Sequence, residues 1–175
     1  MRRLFLIILF FAVGFGLSAD DWPQWRGPER DGISRETGLL QAWPSAGPKR
    51  VWLSRDIGLG YSAPVVAKGR LFIMGTEGGK EKLFAKEAKS GKTLWTAALG
   101  GVLSNNWGDG PRGAATVDGD RVFALGAKGG LICANAKDGK VHWRVELVKD
   151  LGGKVPNWGY TESVLVDGDH VICTP

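Results

Sequence analysis

Cysteine and histidine are scarce: two of each in 175 residues. Cys133 and Cys173 stand 40 positions apart, so there is no adjacent Cys-Cys pair. Each follows two apolar residues (Leu131-Ile132-Cys133 and Val171-Ile172-Cys173), a context that suits small, buried, unbridged thiols. His142 and His170 are 28 apart with no second ligand at metal spacing, so both read as surface residues rather than zinc ligands. The chain also lacks a Gly-x-Ser-x-Gly elbow, a phosphate-cradling loop and any zinc-binding pattern. Blocks of like charge are missing as well. Lysines such as Lys68, Lys92, Lys128 and Lys140 are spread singly over turns and strand ends, which excludes a nucleic-acid footprint.

Long apolar runs are absent outside the N-terminus. Arg2 and Arg3 precede an apolar stretch from Leu4 to Leu17 that closes on Leu17-Ser18-Ala19, the layout of a secretory signal peptide over residues 1–19 cleaved after Ala19. The stretch is short for a membrane span, which needs about 20 apolar residues. No cysteine lies near the cleavage point, so no lipid anchor is expected. The expectation is an exported protein, periplasmic or extracellular, with no stable membrane insertion once the leader is removed. Losing Arg2 and Arg3 lowers the formal charge from +5 to +3.

What the chain has in abundance is repetition. Residues 61–75 (YSAPVVAKGRLFIMG) return ungapped as 112–126 (RGAATVDGDRVFALG) and as 161–175 (TESVLVDGDHVICTP). In each copy a valine (Val66, Val117, Val166) precedes a polar turn and an apolar pair follows it, which makes a β-hairpin. A second half-unit repeats 48 residues apart, Ala88-Lys89-Ser90-Gly91-Lys92-Thr93-Leu94-Trp95 against Ala136-Lys137-Asp138-Gly139-Lys140-Val141-His142-Trp143. Each unit therefore reads as four antiparallel strands, at 62–67, 70–75, 82–88 and 93–98, then at 113–118, 121–126, 130–136 and 141–147. A period of about 40–50 residues with four strands is that of a β-propeller blade. The 27 glycines fall mostly in the hairpin turns. The expected fold is an all-β propeller of four-stranded blades, present only in part: about two and a half blades, near 60–100, 111–148 and 160–175. Closed propellers use about four to eight blades, and the third unit stops after its second strand, so the sequence reads as an N-terminal portion of a longer protein. Ahead of the propeller region (51–175), residues 20–50 hold Trp22, Trp25 and Trp43 among Pro23, Pro28, Pro44 and Pro48, an extended strap rather than a flexible linker. Lys49 to Leu53 resembles the last strand of a blade.

The spacing Ala85-x-Glu87-x-x-Ser90-Gly91-Lys92-x-x-Trp95, and less closely Cys133-x-Asn135-x-x-Asp138-Gly139-Lys140-x-x-Trp143, resembles the pyrroloquinoline-quinone-like propeller repeat. That repeat is found in quinoprotein alcohol dehydrogenases and in outer-membrane assembly lipoprotein propellers. The stretch Asp21 to Gly32 resembles the start of secreted members. The resemblance implies a structural, blade-docking role for Gly91 and Trp95 and for Gly139 and Trp143.

Two loops between blades carry the same triplet, Asn106-Trp107-Gly108 and Asn157-Trp158-Gly159, just before a first strand. Such loops rim the funnel of a propeller. Trp107, Trp158 and Tyr160 offer flat apolar surface with a polar tip, and Arg112 and Glu162 can orient an anionic or hydroxylated ligand. The alternative is structural: the rings plug gaps between blades and Arg112 pairs with Asp109 or Glu162. The leading expectation is a non-enzymatic binding or assembly scaffold, with no cofactor, that presents these loops to a protein or glycan. The resemblance also implies an alternative, a dehydrogenase of alcohols or sugars using pyrroloquinoline quinone and calcium. Asn157 and Glu162 can each supply one calcium oxygen, but the adjacent cysteine pair many quinoprotein dehydrogenases carry is missing. Catalytic residues are not identifiable in this sequence.

Overall fold

The computed structural model describes residues 20–174. The signal-peptide expectation falls on residues 1–19 and lies outside them. Two four-stranded antiparallel blades are followed by a hairpin. The first blade is β1 (Val65–Ala67), β2 (Arg70–Glu77), β3 (Lys80–Glu87) and β4 (Thr93–Gly101), paired in chain order. The second is β5 (Thr116–Asp118), β6 (Arg121–Leu125), β7 (Gly130–Asn135) and β8 (Val141–Glu146), paired the same way. A short helix, α1 (Leu147–Leu151), leads to β9 (Leu165–Asp167) and β10 (His170–Ile172), the opening hairpin of a third blade. This is a partial β-propeller. The Lys68-Gly69 turn holds both residues at positive φ, +52° and +71°, which matches the right-handed twist of the strands it joins.

Alternation along the strands explains how the blades stack. On β6, Val122 and Ala124 face the first blade and join Phe72, Met74, Leu83 and Leu99 in one core. Phe123 and Leu125 point the other way, into a second core with Leu147, Tyr160 and Val164. Both faces of the blade are buried, so the strand reads as a continuous apolar run instead of alternating with polar residues. Each large side chain buried there contributes about 1.5–3 kcal/mol. Glu81 is the polar member of this junction. Its carboxylate is buried and accepts the Leu103 N–H at 3.0 Å and the Ala127 N–H at 2.7 Å.

The first strands are shorter than the repeat suggests, starting at Val65 and Thr116. Ahead of β1, the Ser62 hydroxyl accepts the Met74 N–H at 3.1 Å, and Pro64 has no N–H to offer a ladder. Ahead of β5, the Ala114 N–H goes to Ser163 Oγ at 2.8 Å, which spends the strand's bonding on the next blade. The fourth strand of the second blade also ends early. The chain leaves the sheet at Glu146, whose N–H donates to the Asp150 carboxylate at 2.8 Å, and α1 draws Leu147 into the second core.

The strap lies along the inner edges of the blades. Trp22 and Val66 exchange backbone hydrogen bonds at 2.7 and 2.9 Å, and the Val117 N–H donates to the Pro23 carbonyl at 2.8 Å. Adjacent strap residues thus reach the free edges of both β1 and β5, so these two edges lie close together. Further on, Arg30 donates to the Ser163 carbonyl at 3.1 Å.

Residues 51–56 form no regular strand, yet they dock on the first blade. The Trp52 indole N–H donates to the Ala88 carbonyl at 2.9 Å, and its ring covers Gly91, where a Cβ would stand 2.6 Å from a ring carbon. Below it, the Lys86 ammonium is buried and bonded to both Asp56 oxygens at 2.7 and 2.8 Å, to Thr93 Oγ1 at 2.7 Å and to the Gly91 carbonyl at 3.2 Å.

Candidate functional site

The two Asn-Trp-Gly triplets are tight turns held by local bonds. The Gly108 N–H donates to the Asn105 carbonyl at 3.1 Å and the Gly159 N–H to the Pro156 carbonyl at 2.8 Å. Their tryptophans meet. The Trp107 and Trp158 rings stand 4.0 Å apart between centroids, tilted by 38°, and each is half exposed (52% and 50%). Together they form an exposed aromatic ridge that joins the two loops.

Arg112 holds the ridge together from behind. Its Nε donates to the Trp158 carbonyl at 2.6 Å, and its Nη2 donates to the Gly108 carbonyl at 2.8 Å and to Asn105 Oδ1 at 3.3 Å. Its guanidinium carbon also lies 5.3 Å from the centre of the Tyr61 ring, within cation–π reach. Asn105 adds a second tie, donating from Nδ2 to the Asn157 carbonyl at 3.0 Å. The expected pairing of Arg112 with Asp109 or Glu162 is not what forms. The guanidinium's fixed fork instead matches carbonyls from two neighbouring loops through Nε and Nη2.

Tyr160 departs from its expected place on the rim. It is buried, with its ring over Gly129, and its hydroxyl has no partner among the described residues. Burial pushes the phenol above its ordinary value, and Cys173 and Glu162 push the same way. Glu162 is occupied locally, its carboxylate accepting the Thr174 N–H at 2.8 Å and the Thr174 hydroxyl at 3.3 Å. Asn157 contributes its backbone carbonyl to Asn105. Among the described residues no group of three or more His, Cys, Asp or Glu converges as a metal site.

Trp95 sits on Gly139, where a Cβ would be 2.6 Å from its ring carbons. Its indole N–H is buried without a partner among the described residues. Trp143 stacks on Phe123 at 6.0 Å between centroids and is 37% exposed. Both cysteines are free. Cys133 is buried as expected from its neighbours, while Cys173, near the edge of the third hairpin, is only half buried. Burial raises both thiols above their ordinary value. His142 and His170 are exposed. Sequence reasoning missed three residues of consequence: Tyr61, Asn105 and Lys86. Tyr61 had a signal, since it occupies the repeat position of Arg112. Asn105 lies one residue outside the repeated triplet, and nothing in the sequence marks Lys86 as buried.

Comparisons with known proteins agree with this architecture. The model of the family described as outer membrane protein assembly factor BamB, a pyrroloquinoline-quinone repeat type, matches residues 79–175. Among solved structures, quinohemoprotein alcohol dehydrogenase from Comamonas testosteroni is similar at 18% identity and a TM-score of 0.60, over 86% of this chain and 22% of that one. Quinohemoprotein alcohol dehydrogenase ADHIIG from Pseudomonas putida HK5 is 20% identical with a TM-score of 0.49, over 69% of this chain and 18% of that one. BamB from Moraxella catarrhalis is 20% identical with a TM-score of 0.45, over 64% of this chain and 31% of that one. The chain thus spans between 18% and 31% of the length of these structures. No curated protein matches it.

Proposed function

The chain belongs to the pyrroloquinoline-quinone-like repeat family of outer membrane protein assembly factor BamB, and from that premise we propose that it is part of an exported, non-enzymatic scaffold that docks a protein partner. The observation that carries this reading is the Trp107–Trp158 ridge. The two rings are stacked on each other and tied from behind by Arg112, so their outer faces are exposed and already ordered. Rigid aromatic surface at low entropic cost is what a binding hot spot requires. Tyr61, also exposed, extends the ridge on the other side of Arg112. Periplasmic or extracellular placement follows from the leader pattern. Among the described residues no helix is long and apolar enough to cross a membrane.

Capture from an envelope extract tests the reading. The full-length protein should retain a specific protein partner that a Trp107→Ala/Trp158→Ala variant of equal stability loses. Equal recovery by both, or recovery of glycan alone, would count against it. The dehydrogenase alternative rests on likeness of fold, and fold does not decide chemistry. Full-length protein mixed with calcium and pyrroloquinoline quinone should show no quinone-binding spectrum and no dye reduction with alcohols or aldoses.

A further inference from the structure

The backbone nitrogen of Asp20 donates to Glu36 Oε1 at 2.8 Å, although 16 positions separate the two residues. Between them runs the part of the strap that carries the Trp22–Val66 pair and the Pro23 carbonyl bonded to Val117. The contact therefore closes residues 20–36 into a loop whose inner side lies on the edges of β1 and β5.

In an unprocessed chain that nitrogen is a neutral amide. Cleavage after Ala19 turns the same atom into an α-ammonium, charged below about pH 8. A neutral bond to a carboxylate becomes an ion pair with a hydrogen bond inside it. The surroundings favour the new charge. A small cleft formed by the strap itself is lined by four acidic residues, Asp20, Asp21, Glu29 and Glu36, and by one basic residue, Arg35, which is already paired with Asp31 at 2.9 Å. Asp21 spends its carboxylate on the Lys68 N–H at 3.1 Å, and the Lys68 ammonium pairs with Asp120 at 3.0 Å. Carboxylates thus outnumber uncommitted cations where the amine is formed.

We propose that removal of the leader locks the strap: the α-ammonium of Asp20 binds the Glu36 carboxylate and clamps Trp22 and Pro23 onto the inner edges of β1 and β5. Those edges are exposed backbone that would otherwise pair with any extended peptide. Processing thereby couples export to sealing of these two edges. This inference rests on the export reading above.

The test uses the full-length chain expressed with its leader and recovered after export. Intact mass identifies the first residue, expected to be Asp20. Hydrogen exchange at the Trp22 and Val66 amides is then compared with Glu36→Gln and with a form that keeps Ala19. At pH 7 both altered forms should exchange about two- to fivefold faster than the mature protein, the scale of one exposed ion pair. The difference should vanish above about pH 9, where the amine is neutral. A retained leader would overturn the export reading and this inference together. A chain that starts at Asp20 yet exchanges at the same rate as Glu36→Gln would overturn this inference alone.

Discussion

Trp95 on β4 of the first blade lies so close to Gly139, in the β7–β8 turn of the second, that a Cβ on Gly139 would stand 2.6 Å from two ring carbons. Trp52 meets Gly91 in the same way one blade earlier. The Gly-x-x-x-Trp repeat is thus a lock between successive blades, with each glycine serving the tryptophan of the blade before it. Gly139 also sits at φ +75°. Gly139→Ala should therefore cost about 2–5 kcal/mol, from a left-handed conformation at about 1–2 and overpacking at about 1–3. Trp95→Ala should cost about 3–5 kcal/mol. Denaturant unfolding of the full-length protein measures both. A Trp95→Ala loss below about 1 kcal/mol would place the ring on the surface.

Lys86 and Asp56 tie the segment before the first blade to that blade. The Lys86 ammonium holds the Asp56 carboxyl well below the usual carboxylate range, helped by the hydroxyls of Ser54 and Thr93. A depressed carboxyl contributes stability above its unfolded value and loses it as pH falls through the folded one. Acid should therefore release the segment, and Trp52 fluorescence should report it. Asp56→Ala should cost about 1.5–3 kcal/mol at neutral pH by removing a charged partner from a buried ammonium, whereas a Lys86→Met/Asp56→Ala pair should recover much of that loss. Equal stability of the single and double variants would contradict this.

Glu81 has the opposite sign. Burial raises its carboxyl above the ordinary value, outweighing the N–H donors of Leu103 and Ala127, which pull it down. The folded chain then binds the Glu81 proton more tightly than the unfolded chain. Its contribution is full below the unfolded value and shrinks as pH rises through the folded one. The stability of the wild type relative to Glu81→Gln should fall as pH rises above the unfolded carboxyl's value of about 4. A difference that stays flat or grows over this range would show that burial does not dominate.

Arg112 should act on the ridge rather than on a ligand. Arg112→Ala frees the Trp158 and Gly108 carbonyls, so the two indoles should separate and the near-ultraviolet circular dichroism of their coupled rings should weaken. Arg112→Lys should not restore it, because one ammonium cannot span the carbonyls of two loops in the geometry of a guanidinium. An unchanged signal in both variants would mean that the rings stack without the clamp.

The strand pattern was legible because it is local. Alternation, polar turns and the spacing of Gly91-Trp95 and Gly139-Trp143 belong to single blades, and each copy corroborates the others, so sequence alone determined the repeat and the propeller. What a side chain does between blades was not legible. Arg112 looked like a partner for Asp109 or Glu162, but two loops 46 positions apart bring the Trp158 carbonyl to it first. Tyr160 looked like a rim residue, but the turn at Gly129 leaves room for its ring underneath. Nothing in the sequence set Lys86 apart, and only the docking of Trp52 and Asp56 buries it. In each case the deciding partner lies at a long chain separation. Only the stacking of blades sets which carbonyl, glycine or carboxylate arrives there, and the burial it imposes decides which contact wins.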